Sequence, residues 1–348
     1  MCTITPITEP IENYYEIHEQ IGRGQYAVVR QCTQKSTGLQ FAAKFVRKRR
    51  KGQDCRSEVW HEVEVLSAIN TPYQHTKIVT LHEVFETRNE LILILELALG
   101  GDLHRHCVAL DTDEPSSSRS EKEVVFLLRQ ILEGMRHLHN QNYVHLDIKP
   151  NNILLMTEIR YPEIRIIDFG LARKIKPGEQ ICLIVGTPEY VAPEILEFEP
   201  VGKPSDIWSI GVVAYVMLTG MSPFAGEDKQ ETCYNVSLCS MEFPESHFDS
   251  ISYTARDFIQ KILQRSPDDR PSVEECLNHP WLNTEELIQK SPSRRVRRSS
   301  HQHVNGEAKD SCKNEHHKKR KKLKAVQQNN SLEEKNNTTE GKQALTSL

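Results

Sequence analysis

The chain has 348 residues, and its 44 Lys or Arg and 48 Asp or Glu leave a formal net charge of −4. Hydrophobic residues make up 38% of the sequence, which is enough for a sizeable core and excludes a wholly disordered chain. Nine scattered cysteines without a C-x-x-C pair argue against a disulfide framework or a zinc site. The start lacks the pattern of a signal peptide, and the most apolar stretch, residues 207–218, is too short to span a bilayer. We therefore expect a soluble intracellular protein without a membrane partner.

Charge and aromatic content divide the chain into a body and a tail. Residues 283–348 carry 15 basic and 8 acidic side chains and no Phe, Trp or Tyr. Such a segment buries too little apolar surface to offset the entropy lost on ordering, so we predict a disordered basic tail over 283–348. The body is net acidic. We predict a short N-terminal extension over 1–14 and a folded domain over 15–282.

The body begins with strands and continues with helices. Short β-prone runs at 15–22, 27–34 and 39–47 are separated by turns that contain glycine, and helical spacing follows at 54–69. Two more strands are predicted at 79–87 and 90–97. After Leu103 the pattern turns helical, and Ser120 with Glu123 forms a capping box that opens a helix. The sequence predicts an α+β fold in which a strand-rich N-terminal lobe (15–97) and a larger helical lobe (103–282) enclose a cleft.

A glycine-rich segment lies between the first two strands: Gly22, Arg23, Gly24, Gln25, Tyr26, Ala27, Val28 and Val29. Glycines allow a backbone to approach phosphates closely, but a tight hairpin is the favoured explanation when the segment is taken alone. A strand–turn–strand setting argues against a dinucleotide site, which needs a strand followed by a helix.

Lys44 on the third strand and Glu62 on the next helix form a second candidate pair. A lysine on a mostly buried strand needs an anionic partner, because an unpaired buried charge is costly. A pair of this kind is by itself more often a surface ion pair.

The strongest signal is an ordered series of polar motifs in the helical lobe. Residues 145–152 read His-Leu-Asp-Ile-Lys-Pro-Asn-Asn, and they are followed by Asp168-Phe169-Gly170, Gly186-Thr187-Pro188-Glu189-Tyr190 and Ala192-Pro193-Glu194. In this series Asp147 is able to accept a proton from a hydroxyl, and Lys149 to neutralise a moving phosphoryl group. Asn152 and Asp168 supply the oxygen ligands that Mg²⁺ prefers.

In this order and at these spacings the motifs resemble those of the eukaryotic protein kinases, over residues 15–281. The resemblance implies that Ile21 and the glycine segment cover ATP, that Lys44 paired with Glu62 holds its phosphates, and that Asn152 and Asp168 bind Mg²⁺. It also implies a catalytic group made of Asp147, Lys149, Asn152 and Thr187. The hinge would be residues 93–102: the backbones of Glu96 and Ala98 bind adenine, Leu95 lines the back of the pocket and Asp102 reaches the ribose. Asp147-x-Lys149 together with Thr187 is typical of serine/threonine kinases. The alternative is a pseudokinase that binds ATP and acts as a scaffold.

Two features of the sequence bear on regulation. Leu146 replaces the arginine that in many kinases receives the activation-loop phosphate, and residues 171–186 contain no Ser, Thr or Tyr. We therefore predict a kinase that needs no phosphate on this loop.

A basic run, Arg47-Lys48-Arg49-Arg50-Lys51, separates the Lys44 strand from the Glu62 helix. Charge alone favours a solvated loop. Together with Leu146 and the hinge sequence, however, the run resembles the death-associated protein kinase family, and residues 48–56 are most similar to its apoptosis-inducing serine/threonine kinase 17 subgroup. The resemblance implies a homodimer through residues 47–51, autophosphorylation, myosin regulatory light chain as a substrate, and roles in apoptosis and actomyosin contractility.

The tail contains two dense basic runs, at 294–298 and 318–324. Three interpretations of these runs compete: a signal for the import machinery, a patch that binds an anionic surface, and plain solvation. An import signal predicts a protein found in both nucleus and cytoplasm. The absence of aromatic residues argues against specific nucleic-acid binding, and the scarcity of apolar anchors against calmodulin. Ser299 and Ser300 follow arginines and are candidate phosphorylation sites.

Overall fold

The computed structural model describes residues 4–24, 26–50, 52–108 and 120–283. Gln25 and Lys51 lie outside these ranges. So do residues 284–348 of the predicted tail, which include its basic runs and the candidate phosphorylation sites Ser299 and Ser300. Within the described ranges, no helix has the length and apolar character needed to cross a membrane.

The first lobe is built on a five-stranded antiparallel sheet with the order β1-β2-β3-β7-β6. The sheet strands are β1 (Tyr15–Arg23), β2 (Ala27–Gln34), β3 (Gln40–Arg47), β6 (Leu81–Glu86) and β7 (Glu90–Glu96). The lobe also contains a separate hairpin of β4 (Arg49–Arg50) and β5 (Gln53–Asp54), followed by the helix α1 (Arg56–Ile69). Every predicted strand of this lobe is present. Helix α1 buries Val59, Val63 and Leu66, the spacing that predicted it.

The basic run differs from the expected solvated loop: Arg47 ends β3, and Arg49 and Arg50 form one strand of a small hairpin. Strands β4 and β5 pair antiparallel across Gly52, whose φ of +84° is a conformation that favours glycine. The hairpin uses Asp54, so α1 begins at Arg56, two residues later than predicted.

The second lobe is mainly helical. Its helices are α2 (Leu103–Val108), α3 (Glu121–Asn140), α4 (Pro193–Leu196), α5 (Lys203–Thr219), α6 (Lys229–Leu238), α7 (Glu245–Phe248), α8 (Tyr253–Ile262) and α9 (Val273–Leu277). Four short strands lie between α3 and α4: β8 (Tyr143–Val144), β9 (Ile153–Leu155), β10 (Ile164–Ile166) and β11 (Arg173–Lys174). At the start of α3, the Glu123 carboxylate accepts from the Ser120 backbone amide at 3.3 Å, as a capping box requires.

Helix α5 forms the centre of this lobe. Residues 205–217 of the helix are all buried, so the most apolar stretch of the sequence is a core helix. Trp208 stacks on Phe224 with ring centroids 5.3 Å apart. A single apolar cluster continues from α1 through α3 to α5, and it supports the short strands that carry the polar motifs.

Candidate active site

The described residues of the glycine segment lie at the end of the antiparallel pair β1 and β2. Strands β1 and β2 pair up to Arg23 opposite Val28, and the Gly24 amide donates to the Ala27 carbonyl at 2.9 Å. Ile21 and Tyr26 are exposed. The strand–turn–strand setting is the one the sequence predicts, and it places backbone amides beside Lys44, which pairs with Val29 across β2 and β3.

Lys44 and Glu62 are in direct contact. The Lys44 ammonium donates to both Glu62 carboxylate oxygens, at 2.7 and 2.9 Å, and lies 3.6 Å from Asp168 Oδ1. Burial acts to lower the pKa of Lys44, but the carboxylates of Glu62 and Asp168 outweigh it and raise the pKa. Lys44 in turn lowers the pKa of Asp168, and burial opposes this only in part. Both groups are therefore charged at neutral pH.

The hinge follows β7 directly. Leu95 is opposite Ala42 in the register, so both side chains share the sheet face that carries Lys44. Of the described residues, none accepts a hydrogen bond from the Ala98 backbone amide, which leaves this donor available for a ligand. The Glu96 side chain points elsewhere, to Arg165 at 2.7 Å. Asp102 Oδ1 accepts from the Arg105 amide at 2.8 Å and so caps α2.

The predicted catalytic residues meet at one point. Lys149 Nζ lies 2.8 Å from Asp147 Oδ2 and donates to Thr187 Oγ1 at 2.7 Å, and the Thr187 hydroxyl donates to Asp147 Oδ1 at 3.0 Å. Asn152 Nδ2 donates to Asp147 Oδ2 at 2.9 Å and to its carbonyl at 2.8 Å. One carboxylate thus has an ammonium, a hydroxyl and an amide around it, a geometry that fixes its orientation.

A buried carboxylate holds this loop in place. Asp206 on α5 is fully buried and accepts from the backbone amides of His145 and Leu146 and from the His139 ring, each at 2.9 Å. Leu146 adopts a φ of +63°, which is uncommon for a branched residue. The two hydrogen bonds from backbone amides to Asp206 stabilise this strained turn, and the turn directs Asp147 into the cleft.

The Leu146 side chain lies in an apolar cluster instead of meeting a phosphate. It is 3% exposed and packs with Val144, Val191, Ile195 and Val201. Apolar side chains from the segment that follows Asp168 pack against the same cluster, namely Leu171, Ile175, Ile181, Leu183 and Val185. Gly186 closes the segment with a φ of +103°, where a Cβ would meet the Leu146 carbonyl oxygen at 3.0 Å.

One residue of the site was not identified from the sequence. His61, next to Glu62 on α1, lies 2.7 Å through Nε2 from the Ala172 carbonyl and 2.9 Å from Arg173 Nη1. These contacts join the helix that carries Glu62 to the segment that follows Asp168. No local pattern indicates them, because the partners are 111 and 112 residues away along the chain.

Asn152 and Asp168 have the chemistry that Mg²⁺ requires. Both hydrogen bonds of the Asn152 side chain use its nitrogen, so the amide oxygen remains available. The Asp168 side chain is 49% exposed to the cleft, and its charge is maintained by Lys44. Two hard oxygen donors beside a phosphate site are how Mg²⁺ is commonly bound with nucleotides.

Comparison with known proteins agrees with this geometry. A family model described as protein kinase domain matches residues 15–282. Serine/threonine-protein kinase 17A of rabbit (Oryctolagus cuniculus) is 52% identical over 285 residues, which cover 81% of this chain and 70% of the relative. Death-associated protein kinase 2 of mouse (Mus musculus) is 44% identical over 280 residues, covering 79% and 73%.

Solved structures of similar fold are also kinases. The twitchin kinase region of C. elegans superimposes with a TM-score of 0.72 at 36% identity. A second twitchin kinase fragment, with immunoglobulin domains, gives 0.71 at 37% identity. The match covers 83% and 80% of this chain but only 48% and 60% of the twitchin chains, which are longer.

Proposed function

The chain belongs to the protein kinase family, as a serine/threonine kinase of the death-associated group near serine/threonine kinase 17, and we propose that it works without an activation-loop phosphate. The observation that supports this proposal is the packing of five apolar side chains from the segment after Asp168 against the cluster that contains the buried Leu146. In the mechanism we propose, the γ-phosphoryl group of ATP passes to a Ser or Thr hydroxyl of a protein.

ATP binding is assigned to the first lobe. The Ala98 amide is the donor for adenine, together with the Glu96 carbonyl as acceptor, and Asp102 is assigned to the ribose. The backbone of residues 22–29 covers the phosphates. Lys44, held at 2.7 Å by Glu62, binds their charge. When bound by Asn152 and Asp168, Mg²⁺ supplies positive charge that offsets the charge of the phosphates.

Transfer is assigned to the Asp147 carboxylate. It orients the acceptor hydroxyl and takes its proton, while Lys149 stabilises negative charge on the transferred group. Thr187 bonds both side chains and so maintains their separation. Catalysis then consists mainly of positioning and electrostatics, with turnover of ~1–100 s⁻¹ as is typical of kinases.

The proposed independence from phosphorylation follows from the cluster around Leu146. In many kinases an arginine at this position binds a phosphate and thereby orders the activation segment. Here the same segment contributes five apolar side chains to a cluster that contains Leu146. Burial of apolar surface stabilises by roughly 25 cal/mol per Å², so several such side chains provide the ordering energy without a phosphate.

Myosin regulatory light chain is the substrate we propose, with autophosphorylation and a positive role in apoptosis and contractility, on the strength of the family resemblance. Transfer of ³²P from Mg·ATP to the light chain is to be compared between the full chain and its Asp147→Ala and Lys44→Ala forms. Labelling of the light chain by the unaltered chain alone supports both the kinase activity and the proposed substrate. Autophosphorylation without light-chain labelling discards the substrate, and binding of ATP without any transfer favours the scaffold alternative.

Localisation, from the charge pattern, and self-association, from the family resemblance, are further proposals. We propose that the basic runs 294–298 and 318–324 direct the chain to the nucleus, with a cytoplasmic fraction, and that residues 47–51 take part in a homodimer. Fluorescence microscopy of forms with Gln in place of the basic tail residues tests the first proposal. Sedimentation of the chain with and without Gln substitutions at 47–51 tests the second.

A further inference from the structure

A basic cavity lies in the first lobe, at the end of β3. Its volume is about 780 Å³, and it is lined by the end of β3, the β4–β5 hairpin, the first residue of α1 and the turn between β6 and β7. Four arginines line it: Arg47, Arg49, Arg56 and Arg88. All four are exposed to solvent.

These arginines differ from their basic neighbours in having no partner. In residues 4–24, 26–50, 52–108 and 120–283, no carboxylate lies within 4.0 Å of any of the four guanidinium groups, and none of them makes a hydrogen bond. Lys48, by contrast, is buried and bonds the Glu86 carboxylate and the Thr87 carbonyl. Arg50 pairs with Glu58 at 2.9 Å and stacks on Tyr26.

Side chains alternate along the hairpin, and this places the unpaired arginines and the paired basic residues on different sides. Successive residues of a strand point to opposite sides, so Arg50 turns to the glycine segment while Arg49 lines the cavity. Asp54 and Glu90 are the two acidic residues of the lining, against five basic ones. The cavity therefore has a net positive lining on a body that is net acidic.

The walls are fixed by backbone hydrogen bonds before any ligand enters. The Lys48 amide donates to the Asn89 carbonyl at 2.9 Å, and the Cys55 amide donates to the Lys48 carbonyl at 2.7 Å. These bonds tie the hairpin to both the β6–β7 turn and the start of α1. The arginines thus project from anchored backbone, which reduces the ordering cost of binding.

We propose that this cavity binds a small molecule or headgroup that carries several phosphates close together. Guanidinium groups match phosphate oxygens with two parallel hydrogen bonds, and four free ones exceed what a single phosphate uses. The volume lies in the range of small-ligand sites. None of the nine residues that line the cavity is aromatic, so the lining offers no ring for base stacking and a nucleic-acid strand is not favoured.

The test uses the full chain, with the nucleotide cleft occupied by a saturating non-hydrolysable ATP analogue. Inositol hexakisphosphate is the soluble probe, and phosphatidylcholine vesicles with or without phosphatidylinositol bisphosphate are the membrane probe. Calorimetry and vesicle sedimentation give the affinities. Amide hydrogen exchange identifies the segments that either probe protects.

The variant is Arg47→Gln with Arg49→Gln and Arg88→Gln. The matched control removes three other exposed charges, with Arg30→Gln, Arg136→Gln and Lys229→Gln. Charge-assisted hydrogen bonds contribute enough that the cavity variant is expected to bind at least about tenfold more weakly, while the control stays within about twofold. Any contribution of the basic tail is common to all forms.

Protection in the unaltered chain is expected over residues 47–56 and 87–90, and it needs no variant to observe. Protection by inositol hexakisphosphate alone identifies a soluble ligand, and protection by the bisphosphate vesicles alone identifies a lipid headgroup. Either result supports the site. Absence of protection at both segments with both probes overturns it, as does equal loss of affinity in the two triple variants.

Discussion

Thr187 lies between the Lys149 ammonium and the Asp147 carboxylate, and its hydroxyl makes a hydrogen bond with each of them. Lysine is able only to donate, so the hydroxyl accepts from Lys149 and donates its single proton to Asp147. Without the hydroxyl, Lys149 and Asp147 keep their direct contact of 2.8 Å, but Asp147 Oδ1 loses its donor. Thr187 is thus a positioning residue for the catalytic base.

We expect Thr187→Val to lower kcat by about 10- to 100-fold, because a 1 Å displacement at a reacting group has effects of this size. The KM for ATP is expected to change little, since Thr187 does not lie among the ATP-binding residues. Thr187→Ser keeps the hydroxyl and is expected to retain most of the rate. Steady-state kinetics of the two forms is the measurement. Equal loss in both would contradict a role for the hydroxyl.

Residue types and spacing were sufficient to bring Asp147, Lys149, Asn152 and Asp168 to attention, because each carries its chemistry within a short motif. His61 could not be recognised in this way. Its contacts with Ala172 and Arg173 depend on how α1 packs against a distant segment. Asp102 was assigned to the ribose from the family pattern, and its cap on α2 is visible only when the helix start is known.

At the scale of elements, the activation segment is held by two different kinds of contact. Apolar side chains fasten its middle to the Leu146 cluster, and His61 fastens its beginning to α1. The segment and the Glu62 helix are therefore connected through packing and one polar side chain.

Leu146→Arg is expected to inactivate the chain rather than to create a phosphate-dependent kinase. The residue is 3% exposed, and a charge placed there has no partner, which costs about 3 kcal/mol or more of unfolding free energy. Leu146→Met keeps volume and apolar character and is expected to cost less than about 1.5 kcal/mol. Chemical denaturation and transfer assays of both forms check this. An active, stable Leu146→Arg form would show that the cluster is dispensable.

His61→Ala is expected to raise the KM for ATP several-fold, because α1 loses a contact that keeps Glu62 beside Lys44. Faster hydrogen exchange is expected in α1 and in residues 171–175. Glu64→Ala alters an exposed position of the same helix and is the control. If both forms keep the original KM and exchange rates, His61 has no positioning role.

Helical spacing identified α1, which buries Val59, Val63 and Leu66, and β-prone runs bounded by turns identified the five sheet strands. The β4–β5 hairpin was missed because β4 lies in a basic run, and a run of like charge is typical of a solvated loop. Its form depends on Gly52 and on the bonds from Lys48 to Asn89 and from Cys55 to Lys48. The short strands β8 to β11 also lack a pattern, because two or three residues carry no periodicity.

On the scale of the molecule, a buried ion pair joins distant parts of the second lobe. The Arg270 side chain is fully buried, and it donates two hydrogen bonds of 2.8 Å to the Glu194 carboxylate. It also donates to the carbonyls of Pro204, Gln264 and Arg265. One guanidinium therefore connects the start of α4, the start of α5 and the loop after α8.

Arg270→Ala is expected to lower the free energy of unfolding by about 3–5 kcal/mol, because it leaves Glu194 charged and buried. The melting temperature is expected to fall on the order of ten degrees. Arg265→Ala breaks an exposed pair with Glu197 and serves as the matched control, at about 0–1 kcal/mol. Calorimetry that finds the two variants equally stable would refute the structural role of Arg270.

The central claim is that this kinase is active without a phosphate on its activation loop. The most direct test is to measure the rate of phosphoryl transfer after full dephosphorylation. The chain is treated with phosphatase, mass spectrometry verifies that residues 171–191 carry no phosphate, and the initial rate of ³²P transfer from Mg·ATP to a protein acceptor is measured. We predict a rate within about twofold of the untreated chain, since apolar contacts already order the segment. A fall to the rate of the Asp147→Ala form, reversed by phosphate on this segment, would contradict it.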